Sequence, residues 1–263
     1  MPADDSPASR SAVTARLRAA GCVYAEDEAD LLIAAARTPA DLASLVDQRA
    51  AGQPLEHVLG WAEFCGLRIA LDPTVFVPRR RTEFLASQAI ALARPGAVIV
   101  DLCCGSGALA AAMAAAIDRP EVHAADIDPA AVRCAGRNLA AAGGQVYEGD
   151  LYAPLPAALR GRVDILLANV PYVPTGDVGL LPPEARDFEA RVALDGGPDG
   201  LGVLRRVAAG APQWLAPGGH LLSEISEHQE AAATGAATGG GLTARVARSR
   251  AQGATVLIAT RPG

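Results

Sequence analysis

Four polar residues stand where short apolar runs of the chain end: Asp101, Asp126, Asp150 and Asn169. Each run has the length and composition of a buried strand. Parallel strands place their carboxyl ends at one edge of a sheet, where open α/β sheets bind ligands, so these side chains are expected to converge there. Carboxylates accept hydrogen bonds from hydroxyl and amino groups, and an asparagine oxygen accepts one from an NH2 group. The pattern predicts a site for a ligand rich in such donors.

The loop after the first run narrows the choice of ligand. Gly105-Ser106-Gly107-Ala108-Leu109-Ala110 fits the G-x-G-x-x-A pattern, and Asp126 follows at about the spacing of a dinucleotide fingerprint. Asp126 would accept the two ribose hydroxyls. Asp101 just before the loop would repel a pyrophosphate and suits a cation. S-adenosyl-L-methionine carries a sulfonium and an amino group without phosphate, so the three acids favour it over NAD.

The thiols of Cys103 and Cys104 lie inside this loop. We expect the loop to contact the ligand through its backbone and not through thiol chemistry.

A second motif, Ala168 to Tyr172, follows the apolar run 163–167. Pro171 has no N–H for a sheet ladder, so the strand stops near Asn169. Asn169 can accept a hydrogen bond from an NH2 group, and the Tyr172 ring can wall a pocket. The same residues also suit a plain turn at the end of a strand.

The remaining elements must position these motifs. Residues 1–52 show helical spacing and predict a small helical N-terminal domain, followed by a β-hairpin connector at 53–80. The main domain is predicted at 81–263. From residue 96 its strands alternate with helices, which predicts a parallel sheet, and the last two strands form an antiparallel pair. Residues 173–197 read as a long functional loop, and 199–215 as a helix.

Composition excludes several classes of protein. Net charge is −6, no apolar run is long enough to span a membrane, and the acidic N-terminus lacks the order of a signal peptide. The five cysteines form no C-x-x-C pair, which fits a reducing cytoplasm and disfavours a zinc site. Binding to membrane or nucleic acid is therefore disfavoured. Arg79, Arg80 and Arg81 are expected on a solvated edge, or else against a carboxylate of the substrate or of the cofactor.

Taken together, several ordered motifs resemble the protein-(glutamine-N5) methyltransferases that modify release factors. The resembling stretches are 53–60, 63–66, 78–83, 101–107, 169–172, and 224–226 with Gln229. The resemblance implies a seven-stranded, Rossmann-like class I methyltransferase sheet and a protein substrate that carries an exposed glutamine. It adds Leu151 to the cofactor contacts and places the glutamine amide at Asn169, Val170, Pro171 and Tyr172. The full set of expected cofactor contacts is Asp101, Cys103, Cys104, Gly105, Ser106, Gly107, Asp126, Asp150 and Leu151.

The chain departs from the family's pattern at several positions. Val170 replaces the first proline of Asn-Pro-Pro-Tyr, Arg80 and Arg81 replace a proline and an acid, and Ala190 replaces a proline after Glu189. These departures predict a side branch with similar chemistry and a different protein substrate.

An amide nitrogen is a poor nucleophile because its lone pair is delocalised into the carbonyl. A site can help by holding both amide hydrogens, one on the Asn169 oxygen and one on a Val170 carbonyl, in line with the sulfonium methyl. Two other functions remain open. One is N-methylation of a nucleic-acid base, whose exocyclic NH2 fits the same corner, defined as Asn169 to Tyr172. The other is that of a cofactor-binding protein without turnover.

Overall fold

The computed structural model describes residues 7–263, with side chains from Ser9 onward. The start of the predicted N-terminal domain, residues 1–6, lies outside this range. None of the helices in the described part is long and apolar enough to cross a membrane. The helices are α1 (Pro7–Ala19), α2 (Ala25–Ala35), α3 (Pro39–Ala50), α4 (Leu55–Leu59), α5 (Glu83–Leu92), α6 (Ala108–Ala116), α7 (Pro129–Leu139), α8 (Pro183–Phe188), α9 (Gly202–Trp214) and α10 (Glu230–Gly239).

Two sheets complete the described chain. The strands are β1 (Trp61–Phe64), β2 (Leu67–Ala70), β3 (Val98–Leu102), β4 (Glu121–Asp126), β5 (Gln145–Glu148), β6 (Val163–Ala168), β7 (Leu215–Ile225), β8 (Thr243–Ser249) and β9 (Ala254–Thr260). The first two form an antiparallel hairpin. The other seven form one sheet in the order β5-β4-β3-β6-β7-β9-β8, parallel from β5 to β7 and antiparallel at β9 and β8. The expected seven-stranded, Rossmann-like fold is confirmed.

The two central strands of this sheet explain its order. Every residue of β3 is buried, and β6 is buried at all but one position. Side chains of alternate residues point to opposite faces, and each face packs against helices in its own apolar cluster. Chain order reverses between β3 and β6, so β3 and β6 form the topological switch point where such sheets bind ligands.

The N-terminal helices have a separate apolar core that includes Leu17, Leu32, Val46 and Val58. Val58 lies on α4, so the segment expected to be only a hairpin connector contains a helix that packs on the N-terminal core. A domain boundary at residue 52 remains a prediction. Arg49 of α3 reaches Glu28 of α2 at 2.6 Å, and both side chains are about nine-tenths buried.

Residues 173–197 were predicted to form a long functional loop, and the part of it from 175 to 194 is here called the cover segment. The cover segment contains regular structure that the sequence did not predict, since α8 lies between two 3-10 turns, Thr175–Leu180 and Arg191–Ala193. Pro183 starts α8, where its missing N–H costs nothing. The predicted helix 199–215 begins later, at Gly202, because the Asp199 carboxylate accepts the Leu201 N–H and forms a turn before it.

Candidate active site

A cavity of about 410 Å³ lies at the carboxyl ends of β3, β4, β5 and β6, under the cover segment. It is lined by the glycine loop after β3, by the ends of β4 and β5, and by the corner after β6. All the residues predicted for the site line this cavity except Asp101 and Gly107. The four strand ends therefore meet as the sequence predicted.

Asp126 connects the end of β4 to the glycine loop. One carboxylate oxygen accepts the Gly105 N–H at 2.9 Å and the other accepts the Asp128 N–H at 2.9 Å. These bonds hold the carboxylate in one orientation on the cavity wall, and each oxygen keeps a further lone pair. Burial raises the pKa of Asp126 above its ordinary value. The geometry suits two ribose hydroxyls, and Ile127 beside it is half exposed on the same wall.

Two glycines of the loop have different tasks. Gly105 has φ +54°, and the nearest atom to the position of a Cβ is the Cβ of Phe76 at 4.0 Å, so its backbone can approach a ligand closely. Gly107 has φ +76°, and a Cβ there would meet the Cβ of Ala135 at 3.0 Å. Gly107 therefore lets the loop pack against α7. A cofactor contact was expected at Gly107, but this residue does not line the cavity.

Asp101 also lies behind the wall. It is 1% exposed; Oδ2 accepts the Ala110 N–H at 3.2 Å, and Oδ1 has no hydrogen-bond partner among the described residues. Burial raises its pKa to about 8, an effect that the Ala110 N–H partly opposes. Near neutral pH, Asp101 is then largely protonated. The repulsion of phosphate that the sequence suggested is correspondingly weaker in this structure.

The thiols of the loop are held in their neutral form. Burial raises the pKa of both Cys103 and Cys104 far above the ordinary value. Cys103 takes φ +56°, an uncommon conformation for a residue with a side chain. Neutral thiols are weak nucleophiles, which disfavours thiol chemistry in this loop; contact through its backbone stays a prediction.

Asp150 and Leu151 line the cavity after β5. The Asp150 carboxylate forms an ion pair with Arg206 of α9, which the sequence did not predict. Leu151 takes φ +51° and its side chain is buried. The backbone at this turn, rather than a free carboxylate, is what the structure offers to a ligand.

Asn169 is the polar residue at the end of β6 whose side chain has no partner among the described residues. Its Oδ1 is buried without a hydrogen bond, and none of the described residues bonds to its side-chain amide. Native structures pair nearly all buried polar atoms, so an unpaired one on a cavity wall calls for a ligand. An oxygen acceptor at this position fits the N–H of an incoming amide or amine.

The rest of the corner is held from outside the motif. Val170 is 2% exposed and packs in the core, and the carbonyl oxygen of Tyr172 accepts a hydrogen bond from Nε2 of Gln229 at 2.9 Å. A Cβ on Gly200 would lie 2.1 Å from that carbonyl oxygen, so only glycine permits the close approach. Gln229 and Gly200 thus position the corner. Of the two, only Gln229 belongs to a stretch that resembles the family in sequence.

The three consecutive arginines do not form a solvated edge. Arg79 pairs with Glu189 at 2.6 Å, and Arg81 pairs with Glu224 at 2.7 Å; both carboxylates are almost fully buried. Neither arginine awaits a carboxylate of a substrate or cofactor, because the protein supplies one to each. Arg80 and Arg81 are both exposed, and of the three arginines Arg80 alone has a side chain without a hydrogen bond or ion pair to a described residue.

Comparisons with known proteins support the fold described above. The family model "Methyltransferase small domain" matches residues 69–180. A solved methyltransferase from Pyrococcus furiosus has a TM-score of 0.57 at 17% identity over 75% of this chain and 90% of its own, a likeness of fold alone.

Curated relatives decide the family. A release factor glutamine methyltransferase from Mycolicibacterium smegmatis is 40% identical over 226 residues, covering 79% of this chain and 80% of the relative. The chain belongs to the release factor glutamine methyltransferase family. A family member from Geobacter sulfurreducens is 40% identical over 71% of this chain, and the match spans 66% of that relative's length. The cofactor of these methyltransferases is S-adenosyl-L-methionine, as the sequence predicted.

One relative carries another name. A 4-amino-L-phenylalanine/4-methylamino-L-phenylalanine methyltransferase from Streptomyces pristinaespiralis is 35% identical over 82% of this chain and 75% of its own length.

Proposed function

We propose that this protein transfers a methyl group from S-adenosyl-L-methionine to the side-chain amide nitrogen of a glutamine in a protein substrate. The observation that supports it most directly is that Asn169 lines the cavity after β6 and that its Oδ1 has no hydrogen-bond partner among the described residues. A primary amide brings two N–H donors and would satisfy that oxygen with one of them. Family membership supports the same acceptor.

The proposed site divides the cavity into two ends. The cofactor end is made by Asp126 and by the backbone of residues 103–106 and of Asp150–Leu151, which lie at the ends of β3, β4 and β5. The acceptor end is made by Asn169 to Tyr172. When bound, the cofactor supplies a sulfonium methyl that is open to attack. The protein's own contribution is to hold both partners in line, which converts a slow bimolecular step into a positioned one.

The corner can bind the second amide hydrogen through a main-chain carbonyl of Val170 or Pro171. Val170 precedes a proline, so its backbone is biased to an extended conformation. No strong base is needed at this end, because the amide nitrogen loses its proton readily once it carries the new methyl group. The neutral carboxyl of Asp101 and the protonated thiols nearby are consistent with a site that works by orientation.

The direct test uses purified protein, methyl-labelled S-adenosyl-L-methionine and a peptide-chain release factor expressed from the same genome. Label on the release factor, mapped by mass spectrometry to a glutamine side chain, supports the proposal. A lysate from the same cells, split into protease-treated and nuclease-treated halves, identifies the acceptor if it is a different protein. Label that survives protease and is lost with nuclease would contradict a protein acceptor.

A small aromatic amine is the second candidate acceptor. The relative that methylates 4-amino-L-phenylalanine motivates it, and an arylamine NH2 would satisfy Asn169 in the same way. Adding 4-amino-L-phenylalanine in place of protein, followed by mass spectrometry of the small molecule, separates the two acceptors.

The two other functions left open by the sequence are less well supported. Many arginines of the described part are already paired with acids, which leaves little charge to track a phosphate backbone. An open cavity with an unpaired acceptor is not what a protein without turnover requires. A translation-related protein substrate and a cytoplasmic location stay parts of the proposal.

A further inference from the structure

The hydroxyl of Tyr172 is held at the acceptor end by two residues distant in sequence. It accepts a hydrogen bond from Nη2 of Arg81 and lies 3.3 Å from the Glu224 carboxylate, to which it donates. The hydroxyl thus uses both its donor and one of its acceptor positions. Tyr172 lines the same cavity as Asn169, and the groups that hold its hydroxyl also set the position of its ring.

Glu224 gives this contact a rigid base. It lies on β7 inside the central sheet, and its side chain is 4% exposed. Besides Tyr172 it accepts bonds from Nε of Arg81 at 2.7 Å and from the Thr82 hydroxyl at 2.6 Å. A buried carboxylate with three donors and a cationic partner is fully compensated, so it has little freedom to move.

Arg81 binds both Glu224 and Tyr172. One nitrogen of its guanidinium bonds Glu224 and another bonds the hydroxyl, and the group lies 6.0 Å from the centre of the tyrosine ring. A planar fork can hold two partners at once, whereas the ammonium of lysine is a single point charge and is expected to keep only one of them.

This arrangement belongs to the residues in which the chain departs from its family's pattern. An acid at position 81 would face Glu224 with like charge, and here the residue is arginine. At the same corner Val170 replaces a proline, which removes a backbone restraint from Asn169. We propose that Arg81 is a positioning residue, which holds the Tyr172 ring against the acceptor amide by binding its hydroxyl. The inference rests on the proposed function for the identity of the acceptor only.

The kinetic test compares four variants with the wild type: Arg81→Lys, Arg81→Met, Tyr172→Phe, and Arg81→Lys combined with Tyr172→Phe. Arg80→Met is the matched control, because Arg80 is the exposed neighbour without a partner among the described residues. Arg81→Lys keeps a positive charge beside Glu224 and protects the fold if Arg81→Met does not purify. The readouts are kcat and KM for the acceptor, and the affinity for S-adenosylhomocysteine.

We expect Arg81→Lys and Tyr172→Phe each to lower kcat roughly 10- to 100-fold, the scale for a displaced reacting group. Cofactor affinity should not change in either. The double variant should be no worse than the worse single variant, since both remove the same contact. Losses that multiply in the double variant, or full activity of Arg81→Lys, would overturn the proposal.

A second readout needs no acceptor. In protein labelled with [13Cζ]tyrosine, the Tyr172 signal is assigned by its loss in Tyr172→Phe. Arg81→Lys should move that signal and Arg80→Met should leave it in place; an unmoved signal in Arg81→Lys refutes the contact. If the wild type methylates no glutamine, the proposed function fails, and this spectrum still decides whether Arg81 holds the ring.

Discussion

Arg49 of α3 contacts Glu184 of the cover segment at 2.7 Å, joining residues 135 positions apart. The same guanidinium holds the buried Glu28. One arginine therefore links the N-terminal helices to the segment that lies over the cavity.

The two ion pairs of Arg49 should differ in their contribution to stability. Arg49→Met leaves the buried Glu28 without its counter-charge and should lower the free energy of unfolding by about 3–5 kcal/mol. Glu184 is half exposed, so Glu184→Gln should cost less than about 1 kcal/mol. Urea unfolding measures both. Equal losses would mean that the pair with Glu184, and not that with Glu28, carries the stability.

Asn169 should act on methyl transfer without affecting cofactor binding. Asn169→Ala removes the unpaired acceptor and should lower kcat about a hundredfold or more, the scale for losing one positioned group at a reacting centre. Asn169→Asp keeps an oxygen and should be milder. Radiolabel transfer and calorimetry with S-adenosylhomocysteine measure the two effects. Equal turnover by Asn169→Ala would contradict the proposed acceptor end.

Asp126, in contrast to Asn169, should affect the binding of the cofactor. Asp126→Ala removes a carboxylate suited to two hydroxyls and should weaken S-adenosylhomocysteine binding by about 1.5–3 kcal/mol. Asp118→Ala is the matched control, because Asp118 is an exposed carboxylate outside the cavity. Calorimetry gives both affinities. Unchanged affinity in Asp126→Ala, or tight binding of NAD by the wild type, would reverse the assignment of the cofactor end.

Val170→Pro tests the departure in the corner. Proline at this position restores the restraint on Asn169, which is worth about 0.4–1 kcal/mol where the backbone fits. Cofactor affinity should be normal, and methyl transfer intact or improved on the same acceptor. A collapse of activity in a folded variant would show that the Val170 side chain or its N–H has a role of its own.

Asp101 should make stability depend on pH. Its pKa is raised from 3.8 to about 8 in the folded protein, chiefly by burial, so between these values the folded state holds a proton that the unfolded chain has lost. Stability must then fall as pH rises through that window and level off above it. Asp101→Asn has no such proton, and its melting temperature should gain on the wild type between pH 5 and pH 8. Scanning calorimetry across that range checks the slope, and parallel curves would refute it.

Local pattern was enough to predict the central part of the fold. The apolar runs that became β3, β4, β5 and β6 are read directly from the sequence, and the polar residues that end them reach one cavity because parallel strands end at one edge. The bounds of α9 and the helix α8 were missed. In both places a turn formed by a side chain or a proline decides the boundary, and hydrophobic periodicity does not report it.

The contacts that hold the site could not be predicted from local sequence patterns. Arg81 meets Glu224 across 143 positions of sequence, and Gln229 meets the Tyr172 carbonyl across 57. Asp101 and Gly107 fit the expected motif, yet they do not line the cavity, because the burial of a carboxylate and the packing of a loop on α7 depend on the assembled sheet. Motif spacing identifies such residues, but it does not predict whether they line the cavity.

The strand order at the edge of the sheet has a consequence for how the chain is made. β9 lies between β7 and β8, although it follows both in sequence. A ribosome that has produced β8 has not yet produced the strand on which β8 pairs, and the edge of β7 is still open at that moment. Open strand edges are templates for pairing with other chains. Nascent chains that stall between residues 249 and 254 should therefore be the species of this protein most in need of a chaperone.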